Sequence, residues 1–176
     1  QEADEVVATE KSPKEPEHEL QLMHENVNRP ESLHGSTYKI KTPLSEHALY
    51  ITINDICLNP GTAHERLQPF EIFINSKNLE HFQWVVALTR VISAVFRKGG
   101  DITFLVEELK AVFDPTGGYF KSGGLFMPSL VAEIGEVIET HLKKIGLLET
   151  EGLSDHQRKI LDEKQQEYQE RQKKET

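Results

Sequence analysis

PFEIFINSKNLEHFQWVVALTRVISAVFRKGGD, Pro69 to Asp101, is the stretch that decides the fold. Phe70, Ile72 and Ile74 alternate with Glu71 and Phe73, which is the period of a strand. After Asn75 and Ser76 the period changes. Leu79, Phe82, Val85, Val86, Ile92, Val95 and Phe96 recur at three and four, and Leu88 and Val91 widen the stripe. This pattern predicts a helix over Asn78 to Arg97 that is apolar on most of its circumference, so burial is expected. Arg97 and Lys98 fall in the last turn, where positive charge is favourable against the macrodipole, and Gly99 supplies a left-handed cap.

Upstream lie two more strand patterns. GSTYKIK, Gly35 to Lys41, alternates and ends before Pro43, and LYITINDICL, Leu49 to Leu58, is the clearest strand of the chain. Its parity changes around Asp55, which predicts a bulge or turn there, and Asn59-Pro60-Gly61 then marks a turn. The two later strands read as an antiparallel hairpin joined by a loop around Gly61 to Gln68. Three strands are enough for a stable sheet if helices cover one face.

Downstream, Asp101 suits the N-cap of a second helix with Leu105, Val106, Leu109, Val112 and Phe113 on its apolar face. Gly99-Gly100 would turn the first two helices into a tight hairpin, and Asp114-Pro115 would stop the second. TGGYFKSGG, Thr116 to Gly124, is glycine-rich. Pro128 suits the first turn of a third helix bearing Leu130, Ile134, Val137, Ile138, His141, Leu142 and Ile145, ended by Gly146. The expected fold is therefore α+β: a small antiparallel sheet packed against about three helices, with disordered or frayed tails.

The tails differ from the centre in charge. The chain carries a net charge of −9, most of it between Gln1 and Leu33. That acidic arm (1–33), broken by Pro13, Pro16 and Pro30, is too polar to offset its ordering entropy; disorder is expected, with a short helix near His18 to Met23. The domain is expected over 34–149, followed by a charged helical or disordered tail over 150–176. No broad basic field marks the chain, which argues against nucleic acid or an anionic membrane as partner. No apolar run approaches the ~18 residues of a membrane span. A soluble, cytoplasmic protein is expected.

Chemistry is hard to find in this sequence. Cys57 is the only cysteine, so neither an internal disulfide nor a cysteine-rich zinc site can form, and its apolar neighbours Ile56 and Leu58 suggest a buried, inert thiol. The eight histidines (His18, His24, His34, His47, His64, His81, His141 and His156) show no helical metal spacing on the expected helices. His81 reads as a polar edge, His141 as a residue on a helix face, and Glu71 and Glu80 have no obvious carboxylate partner. No catalytic and no metal-binding residue is assigned. The glycine pairs are what asks for explanation. Gly117, Gly118, Tyr119, Phe120, Gly123 and Gly124 could form a flexible loop, a partner-contact loop or, with Lys121 and Lys98 nearby, an anion site. Aromatic side chains in the middle of the loop favour contact with a partner.

Three segments resemble a known family. STYKIKTPLSEHALYITIND (Ser36 to Asp55), the run from Pro69 to Phe120, and MPSLVAEIGEVIETHL (Met127 to Leu142) are similar to the C-terminal TSCPD domain of adenosylcobalamin-dependent (class II) ribonucleotide reductases. The resemblance covers roughly His34 to Leu147. It implies a role in reducing ribonucleotides through a cobalamin-generated thiyl radical, whose cysteines belong to the large catalytic chain. Members of the family can end in a cysteine-rich tail. Here no cysteine follows Leu147, so no thiol shuttle and no catalytic residue carries over. The resemblance thus implies an accessory chain, inactive alone, that partners the catalytic chain of a class II reductase. Adenosylcobalamin would belong to that holoenzyme, with no cofactor on this chain alone. A nucleotide-binding regulatory module and a stand-alone interaction protein are the alternatives.

Overall fold

The computed structural model describes residues 19–43, 45–77 and 80–149. Three strands, β1 (His34–Ile40), β2 (Leu49–Leu58) and β3 (Arg66–Asn75), form an antiparallel meander in the order β1-β2-β3. Helices α1 (Phe82–Lys98) and α2 (Phe104–Lys110) follow, then a small hairpin of β4 (Tyr119–Phe120) and β5 (Phe126–Met127), and finally α3 (Leu130–Lys144). The α+β class expected from the sequence is observed. The main core fills the space between one sheet face and the helices, with Ile51, Ile53, Ile72, Ile92, Phe96, Ile138 and Leu142 at its centre.

The parity change at Asp55 is a bulge. Pairing jumps from Asn54↔Glu71 to Asp55↔Pro69, so Phe70 is the extra residue. Pro69 sits at the interruption, where a missing N–H does least harm to the ladder. Strand β3 begins at Arg66, within the stretch expected to be loop. The bulge also corrects the expectation for Cys57. Ile51, Ile53 and Asp55 are buried, but beyond the bulge Ile56 and Leu58 are the buried residues, in a second apolar cluster, and Cys57 is exposed.

Helix α1 runs along β3, an edge strand. Ser93 Oγ accepts from the Ile72 N–H at 3.1 Å, so the helix satisfies an edge amide that would otherwise seek a foreign strand. The expected burial all round does not hold. Thr89, Ile92, Ser93 and Phe96 are buried, whereas Phe82, Trp84, Val86 and Val91 are exposed. One side of the helix meets the sheet, and the other carries the exposed apolar side chains. Its expected first residues, Asn78 and Leu79, fall outside the described residues, and His81 in a left-handed conformation stands at the N-cap.

The other helices also depart from expectation. Helix α2 packs on α3 rather than folding back on α1. A Cβ added at Gly135 of α3 would lie 2.9 Å from Leu109 Cβ, so glycine sets how closely α2 and α3 approach. Helix α2 ends at Lys110, four residues before Asp114, and leaves Val112 and Phe113 exposed. Asp101 does not cap it directly. Its carboxylate accepts from the Thr103 N–H and hydroxyl, closing the turn that feeds the helix. Ser129, not Pro128, starts α3, its side chain accepting from the Ala132 N–H at 2.9 Å. Gly146, at φ 81, ends α3 with Gly146 N–H to Lys143 and Leu147 N–H to Leu142, the paired bonds of a Schellman cap.

Residues 19–33 do not behave as their polar composition suggests, and residues 19–23 form no helix; the rest of the arm and the tail from residue 150 lie outside the described residues. Met23 is buried with Ile56, Leu58 and Phe70 in a second apolar cluster. Its carbonyl passes so close to Gly99 that a Cβ there would stand 2.0 Å away, and Gly99 also has φ 79. Glycine is thus required twice over at this position. Arg29 holds Glu71 through two bonds, Nε to Oε2 at 2.9 Å and Nη2 to Oε1 at 2.8 Å, and Asn54 donates a third to Oε1.

These bonds, the Arg29 pair first, hold the Glu71 carboxyl below its ordinary value of 4.5. A carboxyl whose folded value is depressed adds stability above its unfolded value and loses it as pH falls through the folded one. Acid melting curves of the parent and of Glu71→Gln should therefore converge as pH falls from 4.5 through the depressed folded value. A constant gap between them from about pH 7 to about pH 3 would show that this carboxyl carries none of the acid sensitivity.

Candidate functional site

The glycine-rich segment is a built hairpin. Tyr119 pairs with Met127 and Phe120 with Phe126. Lys121 N–H donates to the Leu125 carbonyl at 2.8 Å, and the turn between them passes through Gly123 (φ 97) and Gly124 (φ 84). Only glycine takes such conformations without strain. Gly117 (φ 108) closes a turn on Asp114, whose side chain also accepts from the Thr116 N–H and hydroxyl. Gly118 lies against the opposite strand: a Cβ there would be 2.2 Å from the Met127 carbonyl oxygen.

Strand alternation gives the hairpin two different faces. Tyr119 and Met127 point inward and are buried. The Tyr119 hydroxyl donates to Glu133 on α3, and burial together with that carboxylate pushes its phenol well above the ordinary value. Phe120 and Phe126 point outward, 68% and 51% exposed, with ring centroids 5.2 Å apart. Leu125 and Phe113 are exposed as well. A cavity of about 290 Å³ lies beside Phe126, lined also by Lys110, Pro128, Ala132 and Glu136. Exposed rings on a hairpin pinned from behind make a rigid apolar contact surface.

Of the six residues singled out in the sequence, Phe120 has the exposure a contact needs, while Tyr119 serves as the anchor behind it. The four glycines shape the backbone. Phe126, which sequence reasoning missed, completes the pair. Its signal was the same strand alternation across the glycine turn. The two lysines beside the glycine pairs have carboxylate partners: Lys121 with Glu133 at 3.3 Å and Glu136 at 3.8 Å, Lys98 with Glu25 at 3.3 Å. That pairing weakens the case for a phosphate cradle at either place.

A second polar constellation lies in the core. His141 Nε2 meets Asp55 Oδ1 at 2.8 Å, and His141 Nδ1 meets the Tyr38 hydroxyl at 2.8 Å. A carboxylate can only accept, so Nε2 carries a proton, and Nδ1 can then accept from Tyr38. The chain joins β1, β2 and α3. Burial, chiefly, raises the Tyr38 phenol above its ordinary value. Because His141 is 1% exposed, this chain is a tie between layers rather than a reaction centre. His141 belongs to a helix face, as its spacing suggested, and that face turns fully inward. His81 is exposed beside Glu80.

Among the described residues no cluster of histidine, cysteine and acidic side chains stands close enough to hold a metal ion, and no helix is long and apolar enough to cross a membrane. No curated protein and no solved structure matches the chain. The sequence profile of the TSCPD domain matches residues 15–142, most of the chain, and begins upstream of β1, with the segment that buries Met23. The chain belongs to the TSCPD domain family, which is associated with cobalamin-dependent ribonucleotide reductases.

Proposed function

We propose that the chain is an accessory chain of an adenosylcobalamin-dependent ribonucleoside-diphosphate reductase, and that it docks on the catalytic chain through the β4–β5 hairpin. The observation that carries this reading is the outward pair Phe120 and Phe126, backed by the buried Tyr119–Glu133 bond. Family membership supplies the reductase context. The single cysteine, exposed on a strand and without a second thiol, cannot form the pair a reductant shuttle needs. Radical chemistry and adenosylcobalamin then belong to the catalytic chain, and this chain supports its assembly or the closure of its active site.

Reconstitution tests this reading. The purified chain is mixed with a cobalamin-dependent catalytic chain that lacks such a domain, adenosylcobalamin and dithiothreitol are added, and deoxynucleotide formation is followed. Activity only with both chains is expected; full activity without this chain, and no co-elution, would overturn the assignment. Changing Phe120 and Phe126 together to alanine should weaken binding to the catalytic chain by at least about tenfold, since exposed aromatic anchors carry much of an interface's affinity. Stability should stay within about 0.5 kcal/mol of the parent, because neither ring is in the core. Unchanged binding would remove the hairpin from the interface.

A nucleotide-binding regulatory module is the second reading, and one observation favours it at a different place. Lys39, Lys41, Lys77, His47 and Tyr50 line an open cavity of about 490 Å³ beside the sheet. Saturable binding of a deoxynucleoside triphosphate to the isolated chain, lost on charge reversal at Lys41, would move the function to this cavity.

A further inference from the structure

We propose that the face of the sheet turned away from the helices binds single-stranded nucleic acid. This goes beyond the reductase reading and uses none of the hairpin. Ile51, Ile53, Ile72 and Ile74 are buried in the main core against the helices. Strand alternation sends the residues between them to the other face. At one end of that face Glu71 is occupied, bonded to Asn54 and to Arg29 from the segment before β1. At the other end Tyr50 is 42% exposed and Phe73 50% exposed. Tyr50 stands opposite Asn75 and Thr52 opposite Phe73, so the two rings are diagonal neighbours on adjacent strands, at positions roughly 7–8 Å apart.

Charge beside these rings selects the occupant. Lys39 pairs with Tyr50 across β1 and β2, and Lys41 and Lys77 line the same open cavity, with Glu46 the one acid in its lining. Among the described residues none of these three lysines has a carboxylate partner, whereas Lys98, Lys110, Lys121 and Lys143 all do. In a chain of net charge −9, cations left uncompensated around an exposed ring favour an anionic ligand. The open rings favour one with flat aromatic faces. Single-stranded nucleic acid repeats both features at every nucleotide: bases stack on aromatic side chains while phosphates meet lysines. A mononucleotide uses one ring, and the second ring, one row along the sheet, serves the next base. The expectation against nucleic acid rests on the lack of a broad basic field. That lack excludes a duplex, whose bases are stacked inside and gain nothing from the rings, but not a short single strand whose bases are open.

Fluorescence anisotropy of a labelled oligothymidylate of about ten nucleotides, titrated with the full chain, tests the proposal. Saturable binding is expected at about 50 mM salt, with log K falling against log salt at a slope of about −2, since each of the three lysine–phosphate contacts contributes about −0.7. Lys41→Gln should reduce that slope by about 0.7. Tyr50→Ser and Phe73→Ser should each weaken binding at least about fivefold. Both rings are exposed, so these variants should melt with the parent. A duplex of the same length should bind at least about tenfold more weakly, because its bases cannot reach the rings. No saturable binding overturns the proposal. So does binding that survives both ring changes. So does displacement by deoxythymidine triphosphate as readily as by unlabelled oligothymidylate, which would give the lysines to the mononucleotide reading. Failure here would leave the hairpin reading standing, because reconstitution with the catalytic chain is scored separately.

Discussion

Replacement of His141 by alanine is expected to destabilise the domain by about 3–5 kcal/mol, the usual effect of breaking a buried pair from one side. The side chain is 1% exposed and both ring nitrogens are bonded, one to Asp55 and one to Tyr38. Alanine would leave the Asp55 carboxylate buried at the bulge with its His141 partner gone, and a buried acceptor without a partner costs more than the bond itself contributed. A loss of that size is a large share of the ~5–15 kcal/mol typical of a domain and should lower the melting temperature by on the order of 10 °C. Tyr38→Phe removes a single hydroxyl and should cost only about 1–2 kcal/mol. Changing Asp55 and His141 together to leucine should recover most of the loss, because replacing both members of a buried pair with apolar groups is often neutral. Denaturant titration of the four proteins checks the set. A loss below about 1 kcal/mol for His141→Ala would show that this chain does not hold the layers together.

Much of this architecture is legible in the sequence, and the failures share a cause. The strand β2 and its bulge are visible because alternation is a local signal and Asp55 breaks it within one strand. The exposure of Cys57 is not legible because the break can be resolved in either sense, and what buries Ile56 and Leu58 is a cluster with the distant Met23 and Phe70. Helix α1 reads as buried all round because apolar residues at three and four cannot say which of two stripes meets the sheet. The Asp55–His141 pair spans 86 residues and has no spacing signal at all. Its only trace is a histidine set among Ile138 and Leu142 on an apolar face. The hairpin stood between: its glycines marked a turn, but the division into Tyr119 inside and Phe120 outside required the β4–β5 register.

The orientation of α1 is open to the largest single test in the core. Phe96→Ala is expected to cost about 3–5 kcal/mol, since the ring is fully buried in the main core and its removal leaves a cavity there. Val91→Ala, five residues away and about 140° round the helix, should stay within about 0.5 kcal/mol of the parent. The comparison is sharp because both residues belong to the same apolar pattern in the sequence. If α1 were buried on every side, truncating either would open a cavity, and the two losses would be of similar size. With one stripe against β3 and the other turned outward, only Phe96 contributes to folding. Denaturant titration of the two variants separates the alternatives. Losses of similar size would show α1 buried on both sides, whereas a loss confined to Phe96→Ala assigns only the inner stripe to the fold.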